Sequence, residues 1–217
     1  MNVYAYHPED RSKELIHIDD WVVKYGPNTD GRCRICNNIV YVKAAISQKQ
    51  THFAHYTGSN CPSIVSNHKP YEVLRDLPRN AAESFAAKQW LLDNAIYVYE
   101  KIRSEFRHLS LTWIEFLQLV ELANKLDIWS LRDMPHGYIP YVLLVCRDVF
   151  VKSQYRKRES YFVLEPSPTG RTFWNDGTVY KSFIWEVYLP SRDVTYHPIK
   201  LSLDEPWYIN KLTTLLE

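Results

Sequence analysis

The stretch CRICNNIVYVKAAISQKQTHFAHYTGSNC, residues 33–61, decides how the N-terminal part of this chain folds. It opens on Cys33 and Cys36 and closes with His52, His55 and Cys61. Two residues between cysteines let one tight turn aim both sulfurs at a single ion, which they bind as thiolates. A tetrahedral centre then takes two more ligands from the second half of the stretch, where three candidates stand. On extended or irregular backbone, His52 and His55 point to different sides, so only one of them easily faces the ion. Cys33, Cys36, His55 and Cys61 are the preferred set, with zinc as the cofactor. The alternative takes His52 together with His55 at the start of a helical turn and leaves Cys61 free. The histidine that does not ligate would serve as a hydrogen-bonding group beside the centre. The run Ile39–Val42 that follows the cysteine pair is β-branched and aromatic and reads as a strand. A redox Cys-x-x-Cys instead opens a helix. Cys146, within the apolar run YVLLVC, reads as a core thiol.

Working outward, Val3–Tyr6 and Leu15–Ile18 read as two short strands, and Gly26-Pro27-Asn28 breaks the chain after them. Residues 1–70 are thus expected to form a zinc-ribbon-like β module, with an α+β domain over 71–217. From Asn80 the period changes. Phe85, Leu92, Ile96, Tyr99, Ile102 and Phe106 recur at roughly helical spacing, and Asn80 with Glu83 offers a cap. Residues 95–102, AIYVYEKI, are locally strand-like. Thr112 and Glu115 form a second capping box ahead of IEFLQLVELANKLDIW, a helix by its pattern. The helical region is therefore placed over 80–130. Beyond Pro135, Gly137 and Pro140, a β-rich part is placed over 138–203, with strands at 141–145, 161–164, 179–189 and 196–201. Asn175-Asp176-Gly177 is a hairpin signal within it. The fold class expected is α+β: zinc-ribbon-like β module, helical middle, mostly antiparallel C-terminal sheet.

The formal net charge is only +1, which argues against a protein that coats nucleic acid. The charge is unevenly placed. Residues 24–80 carry eight basic against three acidic side chains, so the zinc segment is the basic part. No apolar run reaches the roughly 18 residues of a membrane helix, and the first 20 residues lack the apolar core of a signal peptide. A reduced, cytoplasmic setting is expected, where four cysteines favour metal or free thiols over disulfides.

The same stretch resembles the zinc-binding head of the competence protein CoiA-like family and its relatives in mobile elements and phage-defence loci. The resemblance rests on a Cys-x-x-Cys knuckle leading into a strand, then HFAH, then Cys61, and covers about residues 1–65 with the preceding LIHIDD strand. It implies a zinc module attached to a protein that handles DNA. In that family a nuclease-like domain commonly follows, which needs an acidic residue and a Glu-x-Lys-type pair to hold a divalent metal. This chain departs from it: Glu159, Glu165 and Glu186 are followed two residues later by Tyr161, Ser167 and Tyr188.

The function expected is accordingly a non-enzymatic, zinc-stabilised, nucleic-acid-binding accessory protein of a bacterial or phage DNA-processing or defence system. Lys24, Arg32, Arg34, Lys43 and Lys49 are candidate phosphate contacts, with Arg156, Lys157 and Arg158 of a second basic patch around Tyr155. A protein–protein adaptor, docking through the zinc module and an aromatic C-terminal sheet, is the alternative, and an atypical nuclease the third reading. Phe173, Trp174, Tyr180, Phe183 and Trp185 read as sheet core more readily than as base-stacking platforms. The scattered histidines have no nucleophile or carboxylate at a convincing spacing, so no catalytic constellation is visible.

Overall fold

The computed structural model describes residues 2–10, 14–44, 50–168, 172–175 and 181–216. The fold is α+β. Five short strands, β1 (Tyr4–Tyr6), β2 (Leu15–His17), β3 (Gly31–Arg32), β4 (Ile39–Lys43) and β5 (His52–His55), build an antiparallel sheet in the order β2-β1-β3-β4-β5. An isolated bridge, with the Phe53 N–H donating to the Asn2 carbonyl at 2.8 Å, ties β5 back to the chain ahead of β1. One edge of the sheet is thereby covered. Between β2 and β3 runs a helix absent from the sequence reading, α1 (Ile18–Tyr25). It is capped by His17, whose Nδ1 accepts from the Asp19 N–H, and it buries Trp21. Gly31 sits where the sheet meets that helix. A Cβ there would lie 2.8 Å from the Ala5 Cβ and 3.2 Å from the Trp21 ring, so only glycine allows this approach.

The helical middle consists of α2 (Ala81–Glu105) and α3 (Trp113–Lys125). Asn80 caps α2 by accepting from the Ala82 N–H, and the Thr112–Glu115 box caps α3 reciprocally. Residues 95–102 are helical despite their β-branched and aromatic content, because Val98 and Ile102 bury against the core. The buried face of α2 is Ala87, Leu91, Val98 and Ile102. Phe85, Leu92 and Ile96, which share the helical spacing with Ile102, are exposed.

The run 141–145, read as a strand, is helical: it falls in α4 (Ile139–Val145). All seven residues of α4 are buried, so the sequence carries no polar alternation or periodicity from which to tell helix from strand. Pro140 sits in its first turn, where a missing N–H costs nothing.

Three antiparallel strands follow, β6 (Glu159–Leu164), β7 (Phe183–Leu189) and β8 (Val194–Pro198), in that order, and the described chain ends in α5 (Trp207–Leu216). The hairpin expected at Asn175-Asp176-Gly177 falls largely outside the described residues; Asn175 itself is buried.

The alternation of side chains along β6 and β7 organises the molecule. Tyr161, Val163, Trp185 and Val187 join the core of the N-terminal sheet. Phe162, Leu164 and Ile184 point the other way, into the core built by α2, α3 and α4. The C-terminal sheet is therefore the middle of three layers, with the N-terminal sheet on one face and the helices on the other.

Candidate metal centre

The β3–β4 hairpin carries the turn Cys33–Asn38 at its tip. The Cys33 N–H donates to the Asn38 carbonyl at 2.9 Å and the Asn37 N–H to the Cys33 carbonyl at 2.9 Å. The Ile35 N–H points at the Cys33 sulfur at 3.4 Å, a donor that favours a thiolate there. Asn37 takes a left-handed conformation, φ 57°, which asparagine tolerates better than most residues. His55 ends β5 opposite Val40, on the strand paired with the one leaving the turn. Cys61 comes from the following turn, held by the Asn67 side-chain amide, which donates to the Ser59 carbonyl at 2.6 Å.

These elements bring Cys33, Cys36, His55 and Cys61 together with all four ligand atoms within 4.8 Å of one another. The Cys33 and Cys61 sulfurs are 3.9 Å apart, and the Cys36 sulfur is 3.4 Å from His55 Nε2. The sulfur separation is far beyond the roughly 2.05 Å of a disulfide, and all four cysteines of the chain are free. Such a group could hold one metal ion. Its electrostatics fit that use. Hydrogen bonds from Cys33 and Cys61 drive the Cys36 thiol far below its usual range, while its hydrogen bond to Cys36 and burial push Cys33 well above. Burial alone would lower the His55 imidazole, but hydrogen bonds to Cys36 and Cys61 raise it to about 9. A dication among the four would stabilise all three thiolates at once.

His52 is outside the group. Its Nδ1 lies 2.9 Å from the Gln50 carbonyl, and its cross-strand partner is Lys43. Cys146 is a buried thiol among apolar neighbours of the helical core.

The candidate phosphate contacts divide sharply. Arg34 and Arg156 are corrected by the structure: both are buried and committed to carboxylates. Arg34, between the metal-binding cysteines, pairs with Glu165. Arg156 donates to Glu115 at 2.9 Å and to the carbonyls of Leu109 and Val151. An arginine so bound gives nothing to a phosphate. Lys24, Lys43, Lys157 and Arg158 are exposed and Arg32 is half-buried; Arg158 lies 3.4 Å from Asp193. Lys49 lies outside the described residues. Trp174 and Trp185 are buried, in keeping with a core role.

A polar cluster that sequence spacing does not show surrounds Glu186. Its Oε1 accepts from His108 Nε2 at 2.8 Å and Ser160 Oγ at 2.7 Å. Its Oε2 accepts from Tyr188 at 2.9 Å and His197 Nε2 at 3.0 Å. Burial alone would raise this carboxyl, but hydrogen bonds from both imidazoles and the charge of His108 outweigh it and hold it at about 2. A carboxylate so weakly basic and so fully saturated is a poor proton acceptor at neutral pH. It fastens the Arg107–Leu109 turn to β6, β7 and β8. No local signal in the sequence joins residues this far apart; only the alternation in β7, which turns Glu186 toward the helical layer, hints at it.

Comparison of the chain with protein-family models, curated proteins and solved structures finds no match.

Proposed function

We propose that the chain is a zinc-stabilised protein that binds nucleic acid without acting on it, an accessory factor rather than an enzyme. Three thiolates and one imidazole are a zinc donor set. Tetrahedral zinc, with bonds of about 2.3 Å to sulfur and about 2.0 Å to nitrogen, sets S···S edges near ~3.8 Å and S···N edges near ~3.5 Å. The separations of 3.9 and 3.4 Å fit that ion.

The observation that carries the nucleic-acid reading is the state of the module's surface cations. Among the described residues, no ion pair engages Lys24, Arg32 or Lys43, whereas the buried Arg34 and, beyond the module, Arg75 and Arg79 are each paired with carboxylates. Cations left unpaired on a rigid metal-held module are what phosphate contact requires. The bacterial or phage DNA-processing setting rests on the CoiA-like resemblance of residues 33–61. The nuclease reading is the weaker one, since Glu165 and Glu186 spend their oxygens on Arg34, Trp185, His108 and His197.

The adaptor reading has one observation in its favour. Phe85, Leu92 and Ile96 are 78, 73 and 56 % exposed and fall on one face of α2, seven and then four residues apart. Binding of the zinc-loaded protein to single-stranded and duplex DNA and RNA across a salt series separates the two. Affinity that falls steeply with salt supports nucleic-acid binding, and no binding at low salt leaves the adaptor.

A further inference from the structure

We propose that the cleft beside the metal centre is a phosphate subsite that takes a backbone phosphodiester of a nucleic-acid strand; the strand as its source rests on the nucleic-acid reading above. The cleft, about 290 Å³, runs between β5, the segment Ser63–Ser66 and the β7–β8 turn. Among the described residues its wall carries Lys43, Arg192, Ser63 and Ser66, and no aspartate or glutamate. His55 reaches the same wall, so the metal centre fixes one side of it.

Asn2 supplies the second, independent observation. Its Oδ1 accepts from the Tyr4 N–H at 3.1 Å and from the Tyr196 hydroxyl at 3.0 Å. A backbone N–H can only donate, so this contact fixes which end of the amide is oxygen. The Nδ2 end is buried and has no hydrogen-bond partner among the described residues, and Asn2 lines the cleft. Buried donors are almost always satisfied. A phosphate in the cleft brings its charge to Lys43 and Arg192, and a small shift of the Asn2 side chain lets one of its oxygens accept from this amide.

Size and lining also limit what enters. The volume sits at the small end of ligand pockets, roughly 300–1,000 Å³. It admits a phosphate with its sugar and not a run of bases. Trp185 on the wall is fully buried and offers no ring face for stacking. The subsite therefore reads the backbone and not the sequence.

The test uses the full chain loaded with zinc. Inorganic phosphate and, separately, hexathymidylate are titrated while the Asn2 side-chain amide is followed by 15N NMR. Affinity for the oligonucleotide is then measured for Lys43→Gln/Arg192→Gln and for the control Lys88→Gln, an exposed lysine of α2. Both ligands are expected to shift the Asn2 amide. The double variant should bind hexathymidylate roughly tenfold more weakly, with a salt slope smaller by about two, and an unchanged Tm. Full affinity in the double variant, or no Asn2 shift with either ligand, overturns the subsite even if the protein binds nucleic acid elsewhere. A phosphate-induced Asn2 shift without oligonucleotide binding keeps the phosphate site and removes the strand as its source, along with the nucleic-acid reading.

Discussion

Arg34, inside the Cys33–Cys36 turn, donates from Nη2 to Glu165 Oε2 at 2.7 Å, with both side chains buried. Its guanidinium also faces the Phe183 ring at 4.8 Å and the Tyr196 ring at 5.3 Å. The Trp185 indole completes the site by donating to Glu165 Oε1 at 2.7 Å. The turn that presents two metal ligands is thus clamped to the C-terminal sheet. Burial pushes the Glu165 carboxyl up to about 7, with Arg34 and Trp185 pulling against it.

Removing one partner of that pair strands a buried charge. Arg34→Ala should cost about 3–5 kcal/mol, read as a lower urea midpoint with unchanged slope. The double variant Arg34→Met/Glu165→Leu should lose less than the sum of the singles, because both charges go together. Strict additivity would show that the pair is not coupled.

Metal should hold the module together. With free zinc about 1,000-fold above Kd, binding adds about 4 kcal/mol, so chelation should lower Tm by roughly 8–16 °C. Cys61→Ser should remove most of that difference and bring metal content below one ion per chain. His52→Ala should leave the metal content unchanged. The reverse result for the Cys61 and His52 variants would reinstate the alternative ligand set.

Glu186 should make stability depend on acid. Its folded value, about 2, lies below the ordinary 4.5, so its contribution is complete above about 4.5 and is lost as pH falls toward 2. The shift corresponds to a stabilisation on the order of 3 kcal/mol. Glu186→Gln should flatten the stability curve across that window relative to the parent. The comparison between variants matters, since acid also protonates the thiolates of the metal centre in both. An equally steep curve in the variant would remove Glu186 from the account.

Adjacent leucines on α2 should behave oppositely. Leu91 is 6 % exposed and Leu92 is 73 % exposed. Leu91→Ala should cost about 2–5 kcal/mol and Leu92→Gln less than about 0.5 kcal/mol. Urea denaturation of the two variants checks the orientation of the helix.

Much of this was legible where a short-range signal fixes the outcome. Cys33 and Cys36 announce themselves by spacing, with His52, His55 and Cys61 as three candidates for the two remaining places, and the Thr112–Glu115 box marks the start of α3 to the residue. Legibility fails where long-range packing decides. The run 141–145 is apolar on every side, so nothing in it distinguishes a buried helix from a strand. Phe85, Leu92 and Ile96 keep a helical period but on the outward face of α2, because Ala87, Leu91, Val98 and Ile102 supply the inward one. Arg34 and Arg156 look like surface cations until Glu165 and Glu115 are brought to them from 131 and 41 residues away. The Glu186 cluster draws on residues from 108 to 197, and the alternation of β7 is its one local trace.

The most direct test of the central claim is X-ray absorption at the zinc edge on protein loaded with a single equivalent of zinc. A tetrahedral shell of three sulfurs at about 2.3 Å and one nitrogen at about 2.0 Å is the predicted result. A shell of two sulfurs and two nitrogens would contradict the Cys33, Cys36, His55, Cys61 set, and failure to retain zinc at all would contradict the metal centre itself.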